Sequence, residues 1–530
     1  MMTRDNATTA PAFTRQNPLG ELDQADASLP ETVSWEPPFR GAWSRDFRLG
    51  EWLGDPVTPL FESWLLTGIE DRMHRIYGEL LGVEPPRPAH VVVNGWYFYG
   101  LNFMPATPSG MFAMMVRHVL PRLLIRPRRT AIAFPPLARF SVGLYEREWR
   151  VKVRPRYRGL VARAEDEIDS ATPSQIVESI DELSDAAGQY FTSLTMVAGY
   201  ASKAQIPLAR FYSTHLGPRI GGSHLDLLAG LGDEPQALAA HAVRTLDWAE
   251  PTLGEVGALQ DPAGARARHA EARERRVEAE ARSAAAIGAD SKLLQRYERL
   301  LGDAQRFAMI REDLVAEFTL PWPTLRRAVF RLGAYLRDRG IIESDDDVLF
   351  LRRDELMAML AGASPSLTTV TAERRSRWER QRRLVPPLRL GTMPGMLKRF
   401  TESAEQAVRG AARTSVDDIV GIPASGGQAT GPARIVHSLA ESERVQSGDV
   451  LVAPMTAPAW TPLFDRLAAI VTDTGGVAAH ASITAREYGL PAVVGTTDAT
   501  ARLRDGEIVE VDGSAGVVRR VGSGQASTRG

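Results

Sequence analysis

The stretch Val471 to Gly495, VTDTGGVAAHASITAREYGLPAVVG, constrains this chain more than any other. Its apolar lead-in, Leu467 to Val471, predicts a buried strand, and the Gly475-Gly476 pair breaks it. A short helix is expected from about Ala481 to Tyr488, with His480 at its mouth. Gly489 and Pro491 end that helix in the usual order, and Ala492-Val493-Val494 starts the next strand. A histidine at such a turn suits phosphate chemistry. First-turn amides and the positive end of the helix dipole favour an anion and disfavour imidazolium. The neutral imidazole is the nucleophilic form. Paired glycines let backbone approach a ligand, Thr472, Thr474 and Ser482 offer hydroxyls, and Arg486 follows within two turns. Taken alone, a histidine in this setting is read equally well as structural.

Most of the chain before it has a different character. Residues 1–35 lack periodicity and read as a disordered tail. Pro56 to Leu81 reads as an amphipathic helix, and His90 to Phe103 as two extended pieces around an Asn94-Gly95 turn. Ser170 to Leu208, Leu225 to Trp248 and Leu325 to Arg339 read as helices, the last capped by Gly340. The segment Ala265 to Asp313 alternates Arg and Glu, the pattern of a solvated helical face. Asp345-Asp346-Asp347 lacks the glycine and later glutamate of a calcium loop and reads as an acidic turn before a short strand. The stretch 371–415 reads as a linker, and 416–520 as short strands and glycine-rich turns. The last residues, 521–530, read as another disordered tail. The expected class is therefore multidomain α+β: a mostly helical domain over 40–370, then a C-terminal α/β domain.

Several chemistries are excluded at once. Without cysteine there is no thiolate nucleophile, disulfide or cysteine-ligated metal. A net charge of −2 gives no reason to expect nucleic acid or an anionic membrane as partner, and no apolar run is long enough for a span. A cytoplasmic protein with no metal site of its own is the default expectation.

The stretch around His480 resembles the signature of the swivelling phosphohistidine domain of phosphoenolpyruvate-utilising enzymes. Gly421 to Gly427, Thr430-Gly431-Pro432, Leu451 to Thr456 with Pro458 and Trp460, and Val511-Asp512-Gly513 extend the likeness over the whole C-terminal domain. The resemblance implies that His480 carries a phosphoryl group, supported by Thr472, Gly475, Gly476, Ser482 and Arg486. Ala479, Ser482 and Ala457 depart from the family pattern, so a hydroxyl has moved across the turn. Trp43 to Asp46, residues 56–60, the VNGWYFY segment and REDL at 311–314 resemble, in pieces, the acceptor-side region of rifampin phosphotransferase and its relatives. That likeness makes Trp96, Tyr97, Tyr99 and Phe103 candidates for an aromatic acceptor pocket, although aromatics in such a run are equally core material. His74, His215 and His224 are candidates for the base an acceptor hydroxyl needs.

No ATP-grasp region and no phosphoenolpyruvate-binding barrel can be read in the chain. The resemblance then implies a separate ATP-grasp subunit that holds ATP and Mg2+ and charges His480. The swivelling domain would deliver the phosphoryl group to a small aromatic hydroxyl, phenol or cresol, as in aryl-phosphate synthases, with AMP and phosphate released. An antibiotic phosphotransferase component and a non-catalytic phosphocarrier or regulatory protein are the alternatives.

Overall fold

The computed structural model describes residues 33–45, 48–81, 87–100, 108–131, 141–231, 240–255, 262–363, 365–384, 386–392, 417–437, 439–456, 460–476 and 479–521. Most of the expected terminal tails and of the expected linker lies outside these residues, as does Phe103, but Trp35, within the first expected tail, packs edge-on against Phe98.

Proline and capping residues set where the long helices begin. Pro59 starts a continuous helical run whose last part, Thr67–Leu81, is α1. Thr58, just before it, donates its N–H to Asp247 at 2.6 Å, tying the helix start to a distant loop. Arg154–Glu167 is α2. Pro173–Phe211, α3, opens with a capping box in which Thr172 and Gln175 satisfy each other's backbone N–H. Pro262–Ile287 (α4) and Ser291–Phe318 (α5) divide the charged segment at Gly288, whose φ of +67° ends α4, while Asp290 caps α5. Trp322–Arg337 is α6, stopped by Gly340 as expected. All of these helices except α4 enter one large core, and α4 packs in a second apolar cluster with the end of α3 and the first half of α5. Tyr157 stacks on Tyr190 at 4.5 Å and donates to the Phe318 carbonyl, and Arg154 closes onto Glu317 beside them.

Three expectations change. Leu225 to Trp248 is not a helix: only His224–Leu228 forms a 3₁₀ turn, capped by Ser223 and Asp226, and the chain beyond it is irregular where described. The acidic triplet opens a 3₁₀ turn, Asp345–Phe350, rather than a strand. Arg375 pairs with Asp346 and Asp347, and Arg337 with Asp345, which accounts for three adjacent carboxylates without a metal ion. Finally, the expected linker starts too early. Thr368–Gln381 is α7, and Trp378 donates from it to the Pro56 carbonyl while Arg374 pairs with Glu355. Arg389–Leu390 then pairs with Trp43–Ser44, so the helical domain keeps the chain through residue 390.

That pairing belongs to a small sheet of Trp43–Ser44 (β1), His90–Val93 (β2), Trp96–Gly100 (β3) and Arg389–Leu390 (β4), in the order β2-β3-β1-β4. The C-terminal unit holds eight strands: Ile419–Val420 (β5), Ile422–Ser425 (β6), Gln428–Ile435 (β7), Val450–Ala453 (β8), Ala469–Thr472 (β9), Ala492–Val494 (β10), Ile508–Asp512 (β11) and Val517–Arg520 (β12). Their order is β5-β12-β11-β7-β8-β9-β10-β6, with β7 through β10 parallel and the flanks antiparallel. Strands β8, β9 and β10 are buried throughout, as strands covered on both faces must be. Separate apolar clusters, one around Leu451 and Ile470 and one around Val450 and Val471, cover the two faces. Among the described residues no helix is long and apolar enough to cross a membrane.

Candidate phosphohistidine site

Strand β9 ends at Thr472, and His480 is the first residue of helix α8, His480–Tyr488. Ligands of parallel sheets collect at this carboxyl edge, where loops rather than strands face outward. Ala479 is the N-cap, extended at φ −68° and ψ 157°, and its side chain offers no capping oxygen. The turn therefore relies on other groups. Ser482, fully buried, donates its hydroxyl to the Gly476 carbonyl at 2.7 Å, and the Ala479 N–H reaches the same carbonyl at 2.9 Å. Thr472 donates to the Thr474 carbonyl at 2.6 Å, and Thr474 to the Pro454 carbonyl at 3.0 Å. Each hydroxyl has a single proton. Thr472 and Ser482 thus shape the turn that carries His480, with their hydroxyl protons committed to backbone carbonyls. Ser482→Ala is expected to cost about 1–2 kcal/mol by leaving one contact of the Gly476 carbonyl unmade; the thermal midpoint of the purified variant checks it.

Gly475 is required for conformation: its φ is +109°, and a Cβ there would stand 3.1 Å from that of Ala479. Nothing lies within 4 Å of the place where a Cβ on Gly476 would stand, so this second glycine leaves space beside the turn. Thr456 follows β8, two residues beyond Pro454, and its buried hydroxyl has no hydrogen-bond partner among the described residues. The sequence marked it only as part of a longer likeness.

The far end of α8 is docked on the helical domain. Arg275 of α4 donates to the Arg486 carbonyl at 3.3 Å, and Arg268 lies over the Tyr488 ring at 4.5 Å while pairing with Asp465 at 2.8 Å. These two arginines belong to the segment expected to be a solvated face; Arg268 is instead half-buried against α8, while Arg275 bonds to α8 and stays exposed. Arg486 itself is buried. Burial lowers its pKa to about 10, Glu312 of α5 opposes that, and Arg311 adds to it, so Arg486 stays charged at neutral pH. Burial and repulsion from Glu312 push Glu487 up to about 7 against the pull of Arg486 and Arg268. His224, on the 3₁₀ turn that packs beneath α8, is pushed down to about 3 by burial and by the Arg486 charge. It is held neutral.

Of the three candidate bases, only His224 is brought to this junction. His74 donates from Nδ1 within its own helix to the Glu70 carbonyl at 2.9 Å, and is buried there. His215 leans on Phe211, 4.9 Å between ring centres. The aromatic candidates are elsewhere too. Both faces of β3 are covered: Trp96 and Phe98 enter one apolar cluster, Tyr97 and Tyr99 another. Trp96 donates to the Gln381 carbonyl at 3.2 Å, and Tyr97 to Glu70 at 2.5 Å. Trp96, Tyr97 and Tyr99 are core, which corrects their assignment to an acceptor pocket. Arg311 and Glu312 were within reach of sequence reasoning as part of REDL, but nothing local placed them against α8.

The buried Glu70 also holds His90 at 3.2 Å. Burial alone would lower the His90 pKa, but the Glu70 charge and hydrogen bond outweigh it and raise it. The pair therefore stabilises the fold fully below pH 6.5 and loses that contribution as pH rises through the raised value. His90→Gln is expected to lower the thermal midpoint most below about pH 6 and progressively less above it, read from melts across pH.

A histidine thus stands at the start of a helix on the carboxyl edge of a sheet with a parallel centre. Residues 445–516 match the family described as PEP-utilising enzyme, mobile domain, and the chain carries that domain. Over 190 residues, 36% of this chain and 23% of the other, it is 41% identical to the uncharacterized phosphotransferase YvkC of Bacillus subtilis. It is 33% identical to rifampicin phosphotransferase of Streptomyces sviceus over 196 residues, 36% of this chain and 21% of that protein. Over 99 residues, 18% of this chain and 12% of the other, it is 54% identical to phosphoenolpyruvate synthase of Aeropyrum pernix. The chain spans less than a quarter of the length of these curated relatives.

Proposed function

We propose that this chain is the phosphohistidine-carrying and acceptor-binding component of an ATP-dependent phosphotransferase of dikinase type. A separate ATP-grasp subunit binds ATP and Mg2+. An imidazole nitrogen of His480 attacks the β-phosphorus of ATP, the bond to AMP breaks, and water removes the γ-phosphate as inorganic phosphate. The acceptor hydroxyl then attacks the remaining phosphorus, the N–P bond breaks, and the hydroxyl proton passes to a base. Phenol or cresol is the preferred acceptor, in line with the sequence likeness to aryl-phosphate synthases.

The observation that carries this reading is the docking of α8 on the helical domain, where Arg275 bonds the Arg486 carbonyl and Arg268 lies over the Tyr488 ring. A carrier helix seated on a second domain is what delivery to an acceptor requires, since transfer needs reacting atoms held together away from water. His224 is the neutral imidazole at that seat. Among the described residues no group of three or more His, Asp or Glu side chains is placed to hold a metal ion, and no step is drawn through magnesium on this chain. The likeness to rifampicin phosphotransferase favours a second reading, a larger antibiotic hydroxyl as acceptor.

The test mixes the chain with an ATP-grasp protein encoded beside it, magnesium, ATP and a panel of phenols and rifamycins. AMP and a phosphorylated acceptor are expected with wild type. AMP without any phosphorylated acceptor would support a phosphocarrier instead. Transfer that persists in His480→Ala would end the proposal.

A further inference from the structure

We propose that the helical run at 108–125 is a docking surface for an anionic lipid membrane. The run comprises Pro108–Met114, a wider turn at Met115–Val119, and Leu120–Ile125. Its outer face carries Phe112, Val116, Leu120 and Leu124 at four-residue spacing, followed by Ile125. Phe112, Leu124 and Ile125 are 72%, 78% and 75% exposed, an unusual display for large apolar side chains in one row. The inner face is anchored by the buried Val119.

The charge along this stretch of sequence has one sign. From Pro85 to Tyr145 the sequence contains no Asp or Glu and seven arginines, at 87, 117, 122, 126, 128, 129 and 139. Arg117, Arg122 and Arg126 form no ion pair among the described residues, while Arg129 pairs with Glu148. Exposed apolar side chains flanked by unpaired arginines match an interface-lying helix, whose apolar row enters the acyl boundary while its cations meet lipid phosphates. Arginine stems reach along the apolar row and keep their guanidinium groups at headgroup level. A protein partner would need a hydrophobic groove rimmed by carboxylates, whereas an anionic bilayer supplies both features along any line. The chain's near-neutral total charge conceals this patch, because the acidic residues lie elsewhere.

Flotation with vesicles tests the proposal on the full chain. Binding to vesicles with about one-third phosphatidylglycerol is expected to exceed binding to pure phosphatidylcholine at least tenfold, and to fall with added salt. Phe112→Asp with Leu124→Asp should reduce flotation at least tenfold without changing the thermal midpoint, since both side chains are exposed. Arg117→Glu with Arg126→Glu should abolish the preference for the anionic lipid. Equal flotation with both vesicle types, or flotation that survives the Asp variant, would overturn the proposal. So would a wild-type dimer that the Asp variant dissolves while neither protein floats.

Discussion

His480→Ala is expected to lower transfer from ATP to any acceptor by about 10⁴-fold or more, to the background of the assay. A residue that forms the covalent intermediate cannot be replaced by positioning alone. The fold should tolerate the change, because the turn is held by Ser482, Thr472 and Thr474, all bonded to carbonyls. The thermal midpoint should stay within about 2 °C of wild type. Phosphoramidate offers a partner-free measurement: it should label the wild-type chain at an acid-labile phosphohistidine and leave His480→Ala unlabelled. Equal labelling of both proteins would remove His480 from the mechanism even if the variant lost overall activity.

Arg486→Met is expected to release α8 from the helical domain. Removing one member of a buried charged group leaves its counter-charge exposed to a poor environment, at a cost of about 3–5 kcal/mol. Here Glu487 and Glu312 would lose the attraction of that cation. The docked state would give way to an extended one, seen as a larger radius of gyration and as faster amide exchange in residues 268–276. Charging of His480 should survive while delivery to the acceptor falls by about 10²-fold or more, because only the second step uses the docked geometry. Unchanged scattering and unchanged delivery would show that Arg486 holds nothing. Adding Glu312→Gln should restore part of the docking, as expected for coupled neighbours.

The same junction gives docking a pH dependence with two opposing limbs. His224 is pushed down to about 3 when docked, so its support is complete above its ordinary value of 6.5 and drains as pH falls below it. Glu487, pushed up to about 7, favours docking when protonated and opposes it as pH rises from 4.5 through that value. The wild type should therefore respond weakly near neutrality. In Glu487→Gln only the histidine limb remains, and docking should weaken steadily below about pH 6.5 by the same scattering measurement.

Much of the carrier domain was legible because its information is local. Gly475-Gly476, His480, Gly489 and Pro491 dictate a turn, a helix start and a helix end within a few residues, whatever surrounds them. The helix over 56–81 and the turn at Asn94-Gly95 were legible for the same reason. The acceptor side was not. A run such as Trp96 to Tyr99 looks the same whether it lines a pocket or fills a core, and only coverage of both strand faces decided for the core. Arg268 looks like solvent-facing charge until α8 is seated on it. The gathering of His224, Arg311, Glu312 and Arg486 joins residues up to 262 positions apart, and no sequence period encodes such a meeting. Sequence determined that His480 opens a helix on a strand edge, since backbone propensity and capping act over a few residues. Tertiary structure alone decided what that helix faces, since burial, hydrogen-bond partners and charge depend on segments that meet only after folding.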